Sequence, residues 1–103
     1  MVSQRIIALI PKIKNYLDGQ PVLRGWLFGS CSRGEETPDS DMDILVDYDE
    51  SAGAISLLKI GGMLMDLSDI AGRRVDLVET EGLKDFAAES VNRDKILIYK
   101  RKG

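Results

Sequence analysis

The sequence predicts an α/β or α+β sandwich built on a small sheet. Helical periodicity and short apolar runs alternate along the chain, in the order α-β-α-β-α-β-α. Gly19, Pro21, Gly29, Gly34, Pro38 and Gly72 stand between these segments. Apolar residues make up 44% of the 103 positions, a proportion ordinary for a packed domain and too high for a disordered chain.

The first segment spans residues 3–18, where Ile6, Leu9, Ile10, Ile13 and Leu17 fall at helical spacing and make one apolar face. Pro11 interrupts the pattern and predicts a kink or two abutting helical pieces, and Gly19 marks the stop. Val22 to Phe28, bounded by Pro21 and Gly29, reads as a buried strand. Gly29 to Gly34 is a turn that opens a short helix, and Thr37-Pro38-Asp39-Ser40 is turn chemistry. Met42 to Tyr48 reads as a second strand, with Met42, Ile44, Val46 and Tyr48 opposite Asp41, Asp43, Leu45 and Asp47.

A helix is predicted over 53–71, with Leu57, Ile60, Leu64, Leu67 and Ile70 on its stripe. Gly61-Gly62 lies inside it, costing about 1 kcal/mol per glycine relative to alanine, and reads as close packing or a weak point. Gly72 ends that helix, and residues 74–79 form a third strand. Residues 82–94 predict a further amphipathic helix with Leu83, Phe86, Ala87 and Val91 inward. Ile96 to Tyr99 is either a last strand or a packed tail.

Composition excludes several chemistries. The chain has no histidine, which removes Ser-His-Asp and Cys-His catalysis, imidazole metal sites and a histidine proton shuttle. Its one cysteine, Cys31, allows neither an intramolecular disulfide nor a cysteine-rich zinc site. A length of 103 residues predicts one domain, 1–103, with no separate acceptor-binding domain. No signal-like N-terminus and no apolar run of about 18 residues is present, so the expectation is a soluble, cytoplasmic protein with no membrane partner.

The net charge of −3 hides a strong polarity. Arg5, Lys12, Lys14 and Arg24 lie in the first 24 residues, and Arg93, Lys95, Lys100, Arg101 and Lys102 lie in the tail. Between Gly34 and Leu58 there is no base, while Glu35, Glu36, Asp39, Asp41, Asp43, Asp47, Asp49 and Glu50 are all acidic. Such a run must be solvated or bind cations. An acidic domain without a continuous basic stripe argues against nucleic acid as partner.

Three features carry chemistry. Gly29-Ser30-Cys31-Ser32-Arg33-Gly34 follows a buried strand, where a glycine permits close backbone approach, helix-start N–H groups favour phosphate, and Arg33 offers a fork for its oxygens. Ser40-Asp41-Met42-Asp43 stands at a strand's mouth, and Asp41 and Asp43 leave the same face, with Cα atoms about 6.6 Å apart. Two carboxylates so spaced can bracket Mg²⁺ ions about 3.5–4 Å apart. Asp76 is a lone acid within an aliphatic strand; it is either solvent-facing or a third ligand. If its strand neighbours the second, all three carboxylates meet beside the Gly29-Ser30 turn.

Together these features resemble the DNA polymerase beta-like nucleotidyltransferase superfamily, and in size and layout its minimal nucleotidyltransferase (MNT) branch. The resemblance covers nearly the whole chain. It implies a nucleotidyltransferase fold, a small mixed sheet flanked by helices, and transfer from a nucleoside triphosphate with release of pyrophosphate. It assigns Gly29 and Ser30 to the triphosphate, Asp41 and Asp43 to two Mg²⁺ ions, and Asp76 to the catalytic metal and the attacking hydroxyl. Arg33 is assigned to phosphate or the acidic residues, and Ser40 of the Ser-Asp-x-Asp motif is grouped with the nucleotide-binding positions. Many stand-alone members resemble antitoxins encoded beside a HEPN-domain ribonuclease, which attach AMP from ATP to a tyrosine of the toxin. The alternatives are an antitoxin that only masks the toxin and a small-molecule adenylyltransferase. Cys31 departs from the aromatic or apolar residue common at its position.

The remaining residues read as structural. Cys31 has no base to activate it, Trp26 and Phe28 read as core, and Arg73 and Arg74 as a solvated turn. Asp47, Asp49 and Glu50 read as solvent-facing.

Overall fold

A computed structural model describes residues 1–83 and 85–102, without the side chains of residues 84–87. Four helices and four strands follow the predicted order: α1 (Gln4–Leu17), β1 (Val22–Phe28), α2 (Ser30–Arg33), β2 (Met42–Tyr48), α3 (Leu57–Ala71), β3 (Val75–Glu79), α4 (Asp85–Asp94) and β4 (Ile96–Lys100), with a 3-10 turn at Thr80–Gly82. The last apolar run is therefore a strand. The sheet order is β3-β2-β1-β4. β1 runs antiparallel to β2 and β4, whereas β2 and β3 are parallel. A parallel neighbour needs a crossover, and α3 supplies it.

α1 and α3 cover one face of the sheet. Ile6, Ile13 and Leu17 of α1 and Met63, Leu67 and Ala71 of α3 pack on Val22, Leu27, Met42, Ile44, Val46, Val75, Ile98 and Tyr99. Burying each large aliphatic side chain is worth about 1.5–3 kcal/mol. The alternation along β2 sends Met42, Ile44 and Val46 into this core, which leaves Asp43, Leu45 and Asp47 on the other face.

Several expectations are corrected here. Pro11 lies inside one continuous α1, on its exposed side, where it removes only the bond to the Ile7 carbonyl. The Ser3 hydroxyl caps this helix, accepting from the Ile6 N–H at 3.3 Å. α3 starts at Leu57 rather than 53, because the Ser56 hydroxyl caps it at Lys59 N–H, 3.1 Å. Its buried stripe centres on Met63 and Leu67, while Leu57 is 86% exposed. Leu83 precedes α4 and is half-buried, as is Val91, and the inward placement of Phe86 and Ala87 lies outside the described residues. Trp26 and Phe28 are half-buried outside the core cluster, and Lys95 lies 4.8 Å above the Trp26 ring.

Candidate active site

The turn after β1 is shaped for close approach. Gly29 has φ 72° and ψ −155°, a backbone region open essentially to glycine alone. A Cβ there would lie 2.6 Å from the Asp43 carboxylate oxygen, so only glycine lets the turn sit against that side chain. The Ser32 hydroxyl and N–H both donate to the Gly29 carbonyl, at 2.7 and 3.1 Å. Ser30 opens α2, and its carbonyl accepts from the Gly34 and Glu35 N–H groups. First-turn N–H groups at such a start have no intrahelical acceptor and favour anions.

The carboxylates gather across two strands. Parallel register sets Asp43 opposite Asp76, and antiparallel register sets Phe28, one residue before the glycine turn, opposite Asp43 on its other side. Asp41 lies two residues before Asp43. Burial, then the charge of Asp76, then that of Asp41 push the Asp43 carboxyl above its ordinary value. Asp43 thus stands beside two acids whose charge a hard divalent cation would offset. Among the described residues no group of three acids is gathered closely enough by itself to hold a metal ion. The carboxylates line an open edge instead, and the Asp76 side chain is 46% exposed. Mg²⁺ suits such an edge, since it keeps water and substrate phosphate among its ligands.

Two predicted site residues are placed differently from the carboxylates. The Arg33 fork binds Glu35 at 2.6 Å and Asp94 at 3.1 Å, joining α2 to α4, and makes no ion pair with Asp41, Asp43 or Asp76. The Ser40 hydroxyl accepts from the Thr37 N–H at 2.8 Å and so closes its own loop. That loop is held by a residue read from sequence as solvated: Arg73 donates to the Thr37 and Ser40 carbonyls, both at 3.2 Å. The parallel register of Met42 with Val75 carries Arg73 opposite Ser40, a relation visible only once the strands are paired. Cys31 is buried beneath the site with its thiol 3.7 Å from the Asp41 carbonyl, and burial pushes that thiol up, leaving it inert as expected.

Nor are Asp47 and Asp49 free in solvent. Asp47 pairs with Arg24 at 3.1 Å and accepts from the Thr80 hydroxyl. Asp49 accepts from the Ser51 N–H at 3.0 Å and pairs with Arg101. A groove of about 550 Å³ between α1 and β4, lined by Lys12, Lys14, Lys100 and Lys102, lies at the other end of the sheet and includes none of the three carboxylates.

A mixed sheet with a glycine turn after its first strand and acids on the next two defines a class of protein, the nucleotidyltransferases. The chain belongs to the polymerase beta nucleotidyltransferase family, whose model matches residues 11–103. Protein adenylyltransferase MntA of Thermococcus cleftensis is 43% identical over 72 residues, 70% of each chain. A solved minimal nucleotidyltransferase superposes with a TM-score of 0.76 at 31% identity, over 93% of this chain and 95% of that one. The MNT antitoxin complexed with a tri-AMPylated Shewanella oneidensis HEPN toxin matches at TM-score 0.66 over 92% of this chain and 72% of that one. At 18% identity that match shows the fold alone. Among the described residues no helix is long and apolar enough to cross a membrane.

Proposed function

We propose that residues 1–103 act as one minimal nucleotidyltransferase domain, an antitoxin that transfers AMP from ATP to a tyrosine of a cognate HEPN toxin. The observation that carries this reading is the in-register pair Asp43–Asp76 with Gly29 seated against Asp43. The adenylyltransferase name of the Thermococcus relative and the AMPylated toxin bound to the Shewanella antitoxin support the choice of nucleotide and acceptor.

In this reading Asp41, Asp43 and Asp76 would hold two Mg²⁺ ions, which would supply positive charge to offset that developing on the phosphates. The Gly29-Ser30 turn receives the triphosphate through backbone N–H groups and the Ser30 hydroxyl. Asp76 on β3, its side chain 46% exposed, accepts the proton of the acceptor's hydroxyl. That oxygen bonds to the α-phosphorus, the bond to the bridging oxygen breaks, and pyrophosphate leaves. Positioning and electrostatics supply most of the rate in such a site.

Incubation with Mg²⁺, labelled ATP and a cognate HEPN-domain protein should add one or more AMP units to that partner by intact mass. Asp41→Ala/Asp43→Ala should lose on the order of 10³ in rate, about 4 kcal/mol. Unchanged transfer by that variant would sink the assignment. A tightly bound but unmodified partner would mean masking instead of catalysis.

A further inference from the structure

We infer that the outward face of α3 is the docking surface for a helix of the protein acceptor, leading its hydroxyl-bearing side chain to Asp76. This inference rests on the proposed function and names where its acceptor binds.

The face carries large exposed apolar side chains, flanked by Lys59 and Asp66. Leu57, Leu58 and Met65 are 86%, 88% and 72% exposed, although a soluble domain ordinarily turns such residues inward. Leu58 and Met65 stand seven residues apart, two helical turns along one line. Between them lie Gly61 and Gly62, where an added Cβ would meet no atom within 4 Å. The glycine pair therefore serves no close packing inside this chain. It leaves a flat stretch of backbone, bracketed by leucine and methionine, that lets a second helix approach more closely than ordinary side chains allow.

The occupant follows from where the face ends. Its far end opens into a pocket of about 380 Å³ lined by Leu64, Met65, Ser68, Asp69, Arg74 and Asp76. Met65 thus belongs both to the exposed stripe and to the wall that contains the proposed base. From Leu58 to Asp69 the path covers about 16 Å of helix. A partner lying along it ends at the β3 edge, where Asp76 lines the same pocket. Arg74, with Nε 4.0 Å from Asp76, stands at the pocket's mouth. Because the apolar face is continuous with the carboxylate edge, the acceptor is its occupant, and the pocket is roomy enough for one aromatic side chain.

Two variants test this with the cognate HEPN-domain protein as acceptor. Leu58→Glu/Met65→Glu should raise the KM for that acceptor about thirtyfold, the scale of losing an interface anchor, while the Mg²⁺-dependent melting shift with ATP stays as in the wild type. Gly61→Ala/Gly62→Ala should raise the melting temperature, because alanine is the better helix former, and yet weaken transfer. A purely structural role for the glycines would leave transfer unmoved. Equal KM values in the wild type and both variants overturn the docking surface while leaving the catalytic reading intact. A wild type that sediments as a dimer, dissolved by the glutamates, makes a second copy the occupant and overturns it as well. If the wild type labels no acceptor despite the ATP shift, the functional reading fails and the docking surface falls with it.

Discussion

Replacing Gly29 with alanine isolates the contact on which the site depends. At φ 72° and ψ −155° any side chain is strained, by about 1–3 kcal/mol. The new Cβ would also stand 2.6 Å from the Asp43 Oδ2, closer than real contacts allow, so the carboxylate must swing away. Each kcal/mol lost lowers the melting temperature of a domain this size by about 4–8 °C, so a fall on the order of 10 °C is expected. Urea unfolding of Gly29→Ala, Asp43→Ala and the double variant separates the two causes. In the Asp43→Ala background the offending oxygen is gone, and the built Cβ lies 3.7 Å from the Asp43 Cβ, an ordinary contact. Gly29→Ala should therefore cost only the backbone strain there, leaving a coupling energy of about 1 kcal/mol or more. Both single variants should lose the Mg²⁺-dependent melting shift with ATP. Equal costs of Gly29→Ala in the two backgrounds would refute the idea that glycine is required by Asp43.

Arg73→Ala should remove both donors to the 37–40 loop, costing about 1–2 kcal/mol in urea and raising the Mg²⁺ concentration needed for half-maximal transfer. Arg73→Lys, with a single point donor, should recover part of each; full activity in Arg73→Ala would show that the loop needs no such tie. Asp49 supplies a pH test: its bonds from Ser51 and then Arg101 hold its carboxyl at about 2, below the ordinary 3.8. The native state thus favours the ionised form, and this stabilisation is complete above the ordinary value and is lost as pH falls through about 2. Asp49→Asn should be less stable than wild type at pH 7, and the difference in urea midpoint should vanish near pH 2. A difference that persists there would assign the loss to packing.

The elements were legible because each is locally encoded. β1 and β2 match their apolar runs residue for residue, since Pro21, Gly29 and the 37–40 turn bound them. The helix starts were less legible: Ser3 and Ser56 cap through hydroxyls that local periodicity does not weigh. Pro11 does not split the helix in two, for it stands on the exposed side of α1, as does Ile7, whose carbonyl loses its partner. The carboxylates were legible as a set, for acids within apolar strands are costly without a purpose.

From the sequence alone came the alternation of elements, the absence of histidine chemistry, and the presence of Gly29, Asp41, Asp43 and Asp76 as candidates for one site. Those are properties of residue type and of spacing along a single strand. The pairing of strands far apart in the chain was decided by tertiary structure. It set Asp43 opposite Asp76, brought Arg73 under Ser40, and tied Asp47 and Asp49 to Arg24 and Arg101. It also turned Gly61 and Gly62 outward, which their helical pattern left open. Register between strands depends on how the whole core packs, and no local pattern contains that information.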